Sequence, residues 1–330
     1  MIYSPHTFEL SLTIDTENFY KWKNKAYENA EGNHRLYPKN GAICDDALKD
    51  KGVKIEYHDN TFKKKIKFIV NPTKLLGGND IKKLWKPNDS NISELLRDLK
   101  MHIKDYFDSK YKLGDFKLTR IDFTVNIKVS DEKNVSAYIK VLHNIGKVKG
   151  FGPKYDKNDK GINHDLSFDL EGNSNDIEFT AYDKASVSKK EEAKGILRVE
   201  VRLKKQKAIA KYTDETAVAK QIKSLSKNSK DIFLNIFTHI VPHGNYYKKK
   251  DAVKVVEDNI FKPKHREKML QLIELVPKKK SLYLAQKEMN DRNIDKIMEM
   301  FAEINVSPVT ISKRHDIKFL KNLYSYLLMK

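Results

Sequence analysis

Apolar and polar residues alternate with a period of two in three segments of the chain, and this pattern constrains the fold most. The clearest segment covers residues 118–127, and two more cover 177–184 and 195–204. The apolar positions of the first segment are Ile121, Phe123, Val125 and Ile127. Because successive side chains of a strand point to opposite faces of a sheet, each segment predicts an amphipathic strand. A sheet built from them has one apolar face and one polar face.

The polar positions of these strands carry ionisable side chains of both signs. These polar positions are Arg120, Asp122, Thr124 and Asn126 in the first segment, Glu178, Thr180, Tyr182 and Lys184 in the second, and Arg198, Glu200 and Arg202 in the third. One interpretation is the solvated face of an antiparallel sheet, where each cross-strand ion pair contributes about 0.2–1 kcal/mol. The other is a phosphodiester site, in which carboxylates hold a divalent cation and a tyrosine attacks the phosphate.

The first two thirds of the chain also contain one further predicted strand and two predicted helices. A basic strand is expected at 63–70, and the clearest helix follows it, behind a capping Ser90 or Asn91. Another helix begins at Asp131 and ends at Gly146. The order of strands, helices and one hairpin predicts an α+β fold, a mainly antiparallel sheet with helices packed on one face.

The strand patterns fade in the last third of the chain, where four prolines interrupt segments of helical spacing. We therefore predict an α+β domain at 1–212 and an all-helical C-terminal domain at 213–330. Within the second domain, a helix at 295–303 and another starting near Val309 match a helix-turn-helix for DNA binding. Ordinary bundle packing matches the same segment equally well, with Ile297, Met300, Phe301, Phe319, Leu320 and Leu323 as the packed residues.

Basic residues outnumber acidic residues by a wide margin. The chain has 64 Lys and Arg against 45 Asp and Glu, a formal net charge of +19. An excess of this size repels itself and indicates an anionic partner, nucleic acid first and an anionic membrane surface second. A lysine-rich composition inherited from an AT-rich genome is the alternative explanation.

Some of the lysines occur in triplets, at 63–65, 248–250 and 278–280. Taken singly, each triplet is typical of a solvated face. Tyr246 and Tyr247 directly precede the second triplet, and Phe151 and Tyr155 lie in a basic loop at 147–160. Aromatic rings among lysines also suit single-stranded DNA, whose bases stack on rings while lysines follow the backbone. Both interpretations stay open at this point.

Several classes of protein do not match this sequence. No apolar run approaches the roughly 18 residues of a membrane span, and residues 1–6 do not resemble a secretory signal. The single cysteine, Cys44, excludes a disulfide framework within the chain and a multi-cysteine zinc site. The sequence has no Walker-type or Gly-x-Gly-x-x-Gly loop for a nucleotide cofactor. We therefore expect a cytoplasmic protein with no membrane partner.

Four segments in the middle of the chain carry a family resemblance. They are Val70-Asn71-Pro72-Thr73-Lys74-Leu75-Leu76-Gly77, Thr119-Arg120-Ile121-Asp122-Phe123-Thr124, Phe179-Thr180-Ala181-Tyr182-Asp183-Lys184, and Gly195-Ile196-Leu197-Arg198-Val199-Glu200-Val201-Arg202-Leu203-Lys204. In this order they resemble motifs of the gene II/X family of phage and plasmid replication initiators. The family looks related to the wider group of rolling-circle initiators, which nick one DNA strand. Similarity extends over about residues 65–205.

The resemblance implies a palm-like or RRM-like nickase domain at 1–212, in which Tyr182 attacks a backbone phosphate. The products would be a 5′-phosphotyrosyl link and a free 3′-OH, the primer for rolling-circle replication. Lys184 would lie beside the scissile phosphate, and Asp122 and Glu200 would bind Mg²⁺ or Mn²⁺. Strand alternation adds Glu178 as a further ligand. The basic residues predicted to contact DNA are Arg120, Arg198, Arg202, Lys74 and Lys154.

The expected partners are origin DNA with a single-stranded or hairpin nick site, a host helicase and a DNA polymerase. A relaxase or transposase with the same tyrosine chemistry is one alternative, and a non-catalytic DNA-binding regulator is another. Many rolling-circle nickases bind their metal through a His-x-His pair, which this sequence lacks. His58 and His164 are single candidates for one ligand. Pro242 between His239 and His243 argues against a helical zinc pair.

Overall fold

The computed structural model describes residues 1–30, 35–80, 82–129, 132–154 and 166–328. Within these ranges the fold combines strands and helices. The strands are β1 (Ser4–Ile14), β2 (Leu36–Lys39), β3 (Ala42–Asp45), β4 (Val53–Asp59), β5 (Lys64–Val70), β6 (Lys117–Lys128), β7 (Phe151–Pro153), β8 (Ser167–Gly172), β9 (Ile177–Asp183), β10 (Ile196–Leu203), β11 (Tyr246–Tyr247) and β12 (Phe319–Leu320).

Helices lie between the strands and make up most of the last hundred residues. They are α1 (Thr16–Glu28), α2 (Pro72–Leu75), α3 (Asp89–Tyr106), α4 (Glu132–Ile145), α5 (Lys184–Ser188), α6 (Gln206–Ile209), α7 (Val218–Lys227), α8 (Ser229–Ile240), α9 (Lys249–Asn259), α10 (Pro263–Lys279), α11 (Leu282–Met289), α12 (Ile294–Glu303) and α13 (Tyr324–Leu327). Across the described ranges, none of these helices combines the length and the apolar character needed to span a membrane.

Ten of the described strands form one antiparallel sheet, in the order β2-β3-β4-β5-β1-β6-β10-β9-β8-β7. In the β1–β6 pair, Thr7 lies opposite Asp122. In the β8–β9 hairpin, Ser167 lies opposite Tyr182. The three alternating segments of the sequence are β6, β9 and β10. The predicted α+β class with a mainly antiparallel sheet is therefore confirmed.

The chain forms two compact units. The Asp122 unit contains Ile2–Thr124 and Arg202–Phe233, and the Tyr182 unit contains Met1, Val125–Val201 and Leu234–Lys330. Each unit therefore combines segments from both sides of residue 212. The predicted functional domains, 1–212 and 213–330, stay a prediction.

Helix α3 supplies much of the core of the Asp122 unit. Helical spacing predicts an apolar face of six residues, of which five are buried and Leu96 is half-buried; the buried five are Ile92, Leu95, Leu99, Ile103 and Phe107. The N-cap is Asn88 and not the predicted Ser90 or Asn91, because the side chain of Asn88 accepts a hydrogen bond from the N–H of Asn91. After the helix ends, the ring of Phe107 packs against Phe68 of β5, with ring centroids 5.8 Å apart.

Helix α4 has the same role in the Tyr182 unit. Its predicted apolar face is buried: Val135, Tyr138, Ile139, Leu142 and Ile145. The chain leaves the helix at Gly146, whose φ of +59° favours glycine. A Cβ atom at this position would overlap the carbonyl oxygen of Lys280. Glycine is therefore needed here for the backbone angle and for the close approach of a second segment.

The described C-terminal residues combine helices with irregular segments and a two-stranded antiparallel sheet of β11 and β12. The helix predicted to begin near Val309 is wrong, because the backbone there bonds to another segment. The N–H of Ser307 donates to the carbonyl of Asn245, and the N–H of Ile311 donates to the carbonyl of Tyr247. Since these bonds hold the segment extended, α12 has no following recognition helix in the described part of the chain.

Replacing Gly146 by Ala tests the close approach. We expect Gly146→Ala to lower the free energy of unfolding by about 1–3 kcal/mol more than Gly150→Ala does. Gly150 is the matched control, because its φ is +83° but a Cβ there meets no atom within 4 Å. Chemical denaturation measures both values. Equal losses of stability in the two variants would contradict the steric explanation.

Candidate active site

Tyr182 and Glu200 meet on the polar positions of β9 and β10, where strand alternation places them. The hydroxyl of Tyr182 donates a hydrogen bond to Oε1 of Glu200, with 2.7 Å between the oxygen atoms. Glu200 is buried and Tyr182 is half-buried. The alternation of polar and apolar residues thus brings a phenol and a carboxylate to one point of the Tyr182 unit.

Arg198 supports this pair from two positions further back on β10. Its side chain is 1% exposed, and its Nε donates a hydrogen bond to Oδ1 of Asn126 at 2.8 Å. Its Nη1 lies 4.0 Å from Oε1 of Glu200. A buried guanidinium needs hydrogen-bond partners and an opposing charge. Asn126 and Glu200 provide both, so the carboxylate is fixed beside the tyrosine.

The surroundings of this cluster shift the pKa values of Tyr182 and Lys184 in opposite directions. Burial raises the pKa of Tyr182 well above the ordinary value, the nearby Glu200 charge raises it further, and Arg198 opposes the change. Burial lowers the pKa of Lys184 to about 8, and the positive charge of Arg198 lowers it in the same direction. At neutral pH the tyrosine is therefore a protonated hydroxyl, and the lysine is still mostly an ammonium ion close to releasing its proton.

Glu178 and Lys154, which the sequence assigns to metal binding and DNA binding separately, form an ion pair. Nζ of Lys154 lies 3.2 Å from Oε1 of Glu178, and the carboxylate is buried. Lys154 ends the described part of the basic loop, in which Tyr155 lies outside the described residues. The pair lies in the Tyr182 unit.

In the Asp122 unit, Asp122 is held by two arginines. Nε of Arg120 donates a hydrogen bond to Oδ1 of Asp122 at 2.8 Å, and its Nη2 contacts Oδ2. Nε of Arg202 lies 3.1 Å from the same Oδ1. Asp122 is buried, so the two guanidinium groups offset the cost of removing its charge from water. All three residues were singled out from the sequence.

The remaining candidates have different surroundings. Lys74 is exposed at the end of helix α2. His58 lies in β4 with its Nε2 3.0 Å from Oε2 of Glu56. That hydrogen bond, together with Lys54, lowers the pKa of Glu56 to about 2. His164 lies outside the described residues.

The predicted metal ligands are each engaged by a basic side chain. Carboxylate oxygens are the donors that Mg²⁺ and Mn²⁺ prefer, but those of Asp122, Glu178 and Glu200 each face a cation of the protein. Within the ranges that the structure describes, no group of three or more His, Cys, Asp and Glu side chains is placed to hold a metal ion. The residues as placed do not fit a ready-made metal site. The ligand set stays a prediction.

Asn126 is a site residue that the sequence did not single out. Strand alternation placed it on the polar face of β6, but nothing in the sequence connected it to Arg198, 72 positions later. The buried guanidinium is the signal that identifies it, and burial depends on the whole fold.

Comparisons with known proteins agree with these motifs. A family model, described as the N-terminal region of a phage replication-associated protein, the gene II protein, matches residues 47–223, more than half of the chain. The chain belongs to this family. Every predicted site residue lies inside the matched range. The resemblance to phage and plasmid rolling-circle replication initiators is therefore confirmed, and replication initiation implies binding to origin DNA.

Two further comparisons concern solved structures and curated protein sequences. A solved structure, the rolling circle replication initiator protein from Geobacillus stearothermophilus, is similar with a TM-score of 0.37 and 11% sequence identity. The similarity covers 72% of this chain and 85% of that chain. No curated protein sequence matches the chain.

Replacing Arg198 tests whether the buried ion pair holds the site together. We expect Arg198→Met to cost about 3–5 kcal/mol of unfolding free energy, because the buried carboxylate of Glu200 loses a cationic neighbour. Arg97→Met is the matched control, since Arg97 contacts two carboxylates but is 71% exposed, and should change stability by about 1 kcal/mol or less. Denaturant titration of both variants measures the difference. Similar small losses in both would show that the pair is not structural.

Proposed function

We propose that the chain is a DNA strand-nicking enzyme that starts rolling-circle replication with Tyr182 as its nucleophile. The observation that carries the proposal is the hydrogen bond from the Tyr182 hydroxyl to the carboxylate of Glu200. It lies inside the range matched by the replication family. A nucleophile next to a proton acceptor that is itself oriented by a third group is the arrangement that covalent catalysis needs.

The raised pKa of Tyr182 makes the neighbouring carboxylate necessary. Since the free phenolate is scarce at neutral pH, the proton has to leave during the attack. In the proposed step Oη of Tyr182 forms a bond to the scissile phosphorus, while its proton passes to Glu200. The bond between phosphorus and the 3′ oxygen breaks. A 5′-phosphotyrosyl link remains on the protein, and the electron pair of the broken bond stays on the 3′ oxygen.

The released 3′ oxygen needs a proton, and Lys184 is the proposed donor. A pKa of about 8 suits a general acid near neutral pH. Before it gives up its proton, the ammonium group offsets the charge that develops on the phosphate. Exchange with water afterwards restores both groups, and the 3′-OH is left as a primer.

The other basic candidates belong to DNA binding in this proposal. Arg120, Arg202 and Lys74 of the Asp122 unit would contact the phosphate backbone, and so would Lys154 of the Tyr182 unit. Arg198 is too buried for a backbone contact and is a positioning residue for Glu200. The proposed substrate is origin DNA with a single-stranded or hairpin nick site, and a host helicase and a polymerase would act on the product.

A divalent cation, Mg²⁺ or Mn²⁺, is the proposed cofactor. Its candidate ligands are Glu178 and Glu200 of the Tyr182 unit and Asp122 of the Asp122 unit. None of the steps above runs through it. Asp122 and Glu178 face arginine and lysine side chains, which DNA phosphates would have to draw away before a metal ion could bind, whereas the buried Arg198 would stay beside Glu200.

Tyr182→Phe separates an enzyme from a DNA-binding regulator. We expect the variant to lose nicking of a supercoiled origin plasmid by about three orders of magnitude or more, because the attacking oxygen is gone, while origin binding is kept. Tyr283→Phe, in the same unit, should nick at the normal rate. Nicking that survives in Tyr182→Phe would refute the assignment, and binding without nicking in the unaltered chain would support the regulator.

Removal of divalent cations tests the cofactor. We expect EDTA to abolish nicking, and Mg²⁺ or Mn²⁺ added in excess to restore it, since a bound cation stabilises charge on the phosphate. Relaxation of the supercoiled plasmid on an agarose gel measures both. Full activity in EDTA would exclude the metal and leave the tyrosine proposal intact.

A further inference from the structure

A second surface with the chemistry of a binding site lies in the C-terminal part of the Tyr182 unit, on the β11–β12 ribbon. Tyr246 pairs with Leu320 and Tyr247 with Phe319. The first pair is buried, whereas Phe319 is 46% exposed. The rings of Tyr247 and Phe319 contact each other, with centroids 5.2 Å apart. Packing is therefore the wrong prediction for Phe319, which is exposed on a strand, whereas the other five residues of that prediction are buried: Ile297, Met300, Phe301, Leu320 and Leu323.

A cavity of about 440 Å³ opens beside Phe319. Its wall includes Leu328 and Tyr324, and also the polar side chains of His243, Asn305 and Ser325. The imidazole of His243 lies against the ring of Tyr324, with centroids 4.8 Å apart. The exposed wall is therefore mostly apolar, because its polar side chains are hydrogen-bonded to Asn322. The volume is within the range of small-molecule pockets, which is roughly 300–1,000 Å³.

Positive charge surrounds this ribbon. Lys318 and Lys321 flank β12 directly and are exposed, and Arg314 is exposed in the preceding loop. Nζ of Lys248 donates to the backbone carbonyl oxygens of Lys313 and His315, which ties that loop to the end of β11. The surface thus offers cations on both sides of an exposed ring.

We propose that the Phe319 cavity binds a nucleobase of single-stranded DNA, with the strand's phosphates following Lys318 and Lys321. This inference rests on the proposed function only in that it assigns a second DNA contact to the same protein. Proteins that bind single strands stack bases on exposed aromatic rings, and their basic side chains follow the backbone. A duplex hides its bases from such a cavity, so the partner is single-stranded.

The polar side chains of the wall are already hydrogen-bonded within the protein, so they do not distinguish a base from an acyl chain. Nδ2 of Asn322 donates to Oδ1 of Asn305 at 3.1 Å and lies 3.2 Å from Nδ1 of His243. DNA is the polyanion that we assign to the lysines, because the chain belongs to a replication family. An anionic membrane would also match the lysines and Phe319, and it is therefore one arm of the test.

The test uses the full chain and fluorescein-labelled 12-nucleotide oligo-dT, which carries no origin. A second strand of equal length has abasic sites in place of its central bases. We expect Phe319→Ala to bind the intact strand about tenfold more weakly than the unaltered chain does. The unaltered chain should bind the abasic strand about equally weakly, and the variant should hardly distinguish the two strands. Fluorescence anisotropy measures all four affinities.

Phe261→Ala is the matched control, because Phe261 is an exposed phenylalanine of the same unit, next to a lysine, at 82% exposure, and does not line the cavity. It should bind like the unaltered chain, and Phe319→Trp should keep the affinity. If Phe319→Ala lowers the thermal midpoint, Phe319→Leu replaces it, since leucine keeps apolar volume without a ring.

Three outcomes would overturn the inference. In the first, Phe319→Ala binds intact oligo-dT as tightly as the unaltered chain does. In the second, the variant weakens binding of the intact and abasic strands equally. In the third, it loses binding to vesicles of anionic lipid while DNA binding is unchanged. Because oligo-dT is bound and not nicked, each outcome is independent of whether Tyr182 is the nucleophile.

Discussion

The buried guanidinium of Arg198 is the interaction on which the candidate active site depends. A charge removed from water has to be compensated within a few ångströms, and Asn126 and Glu200 are among the groups that compensate it. The carboxylate of Glu200 that faces this guanidinium also accepts the hydrogen bond from the Tyr182 hydroxyl. The position of that carboxylate is thus tied to a buried ion pair.

The same logic accounts for the distribution of charge in the molecule. Several buried carboxylates have a cationic partner: Asp45 with Arg35, Asp122 with Arg120, Glu178 with Lys154, and Glu200 with Arg198. Acidic groups are therefore neutralised inside the fold, and much of the net charge of +19 is carried by exposed side chains. A surface of this kind attracts polyanions over distances of about a Debye length.

Much of the fold follows from periodicity in the sequence. Alternation with period two identified β6, β9 and β10, and helical spacing identified the buried faces of α3 and α4, because both patterns depend on local geometry alone. The cap of α3 was misplaced by two or three residues, since capping depends on which side chain reaches a particular N–H. The absent helix near Val309 has a different cause. Backbone hydrogen bonds to residues more than sixty positions earlier hold that segment extended.

The site was predictable in its residue types and less so in its pairings. Alternation placed Tyr182, Glu200 and Arg198 on one set of polar positions, but it could not join Lys154 to Glu178 or Asn126 to Arg198. Each pair joins two segments that are distant in the sequence, and which side chains meet depends on strand register and burial. The exposure of Phe319 was not predicted either, because an apolar residue in such a pattern is normally taken as buried.

The role of Tyr182 as the nucleophile is tested most directly by identifying the residue that becomes linked to DNA. The chain is incubated with a supercoiled plasmid that carries the origin of its own replicon, and the denatured complex is digested with trypsin. Cleavage after Lys160 and Lys184 releases residues 161–184, in which Tyr182 is the only tyrosine. We expect mass spectrometry to find the nucleotide adduct on this peptide. An adduct on another peptide, or nicked plasmid with no adduct, would contradict it.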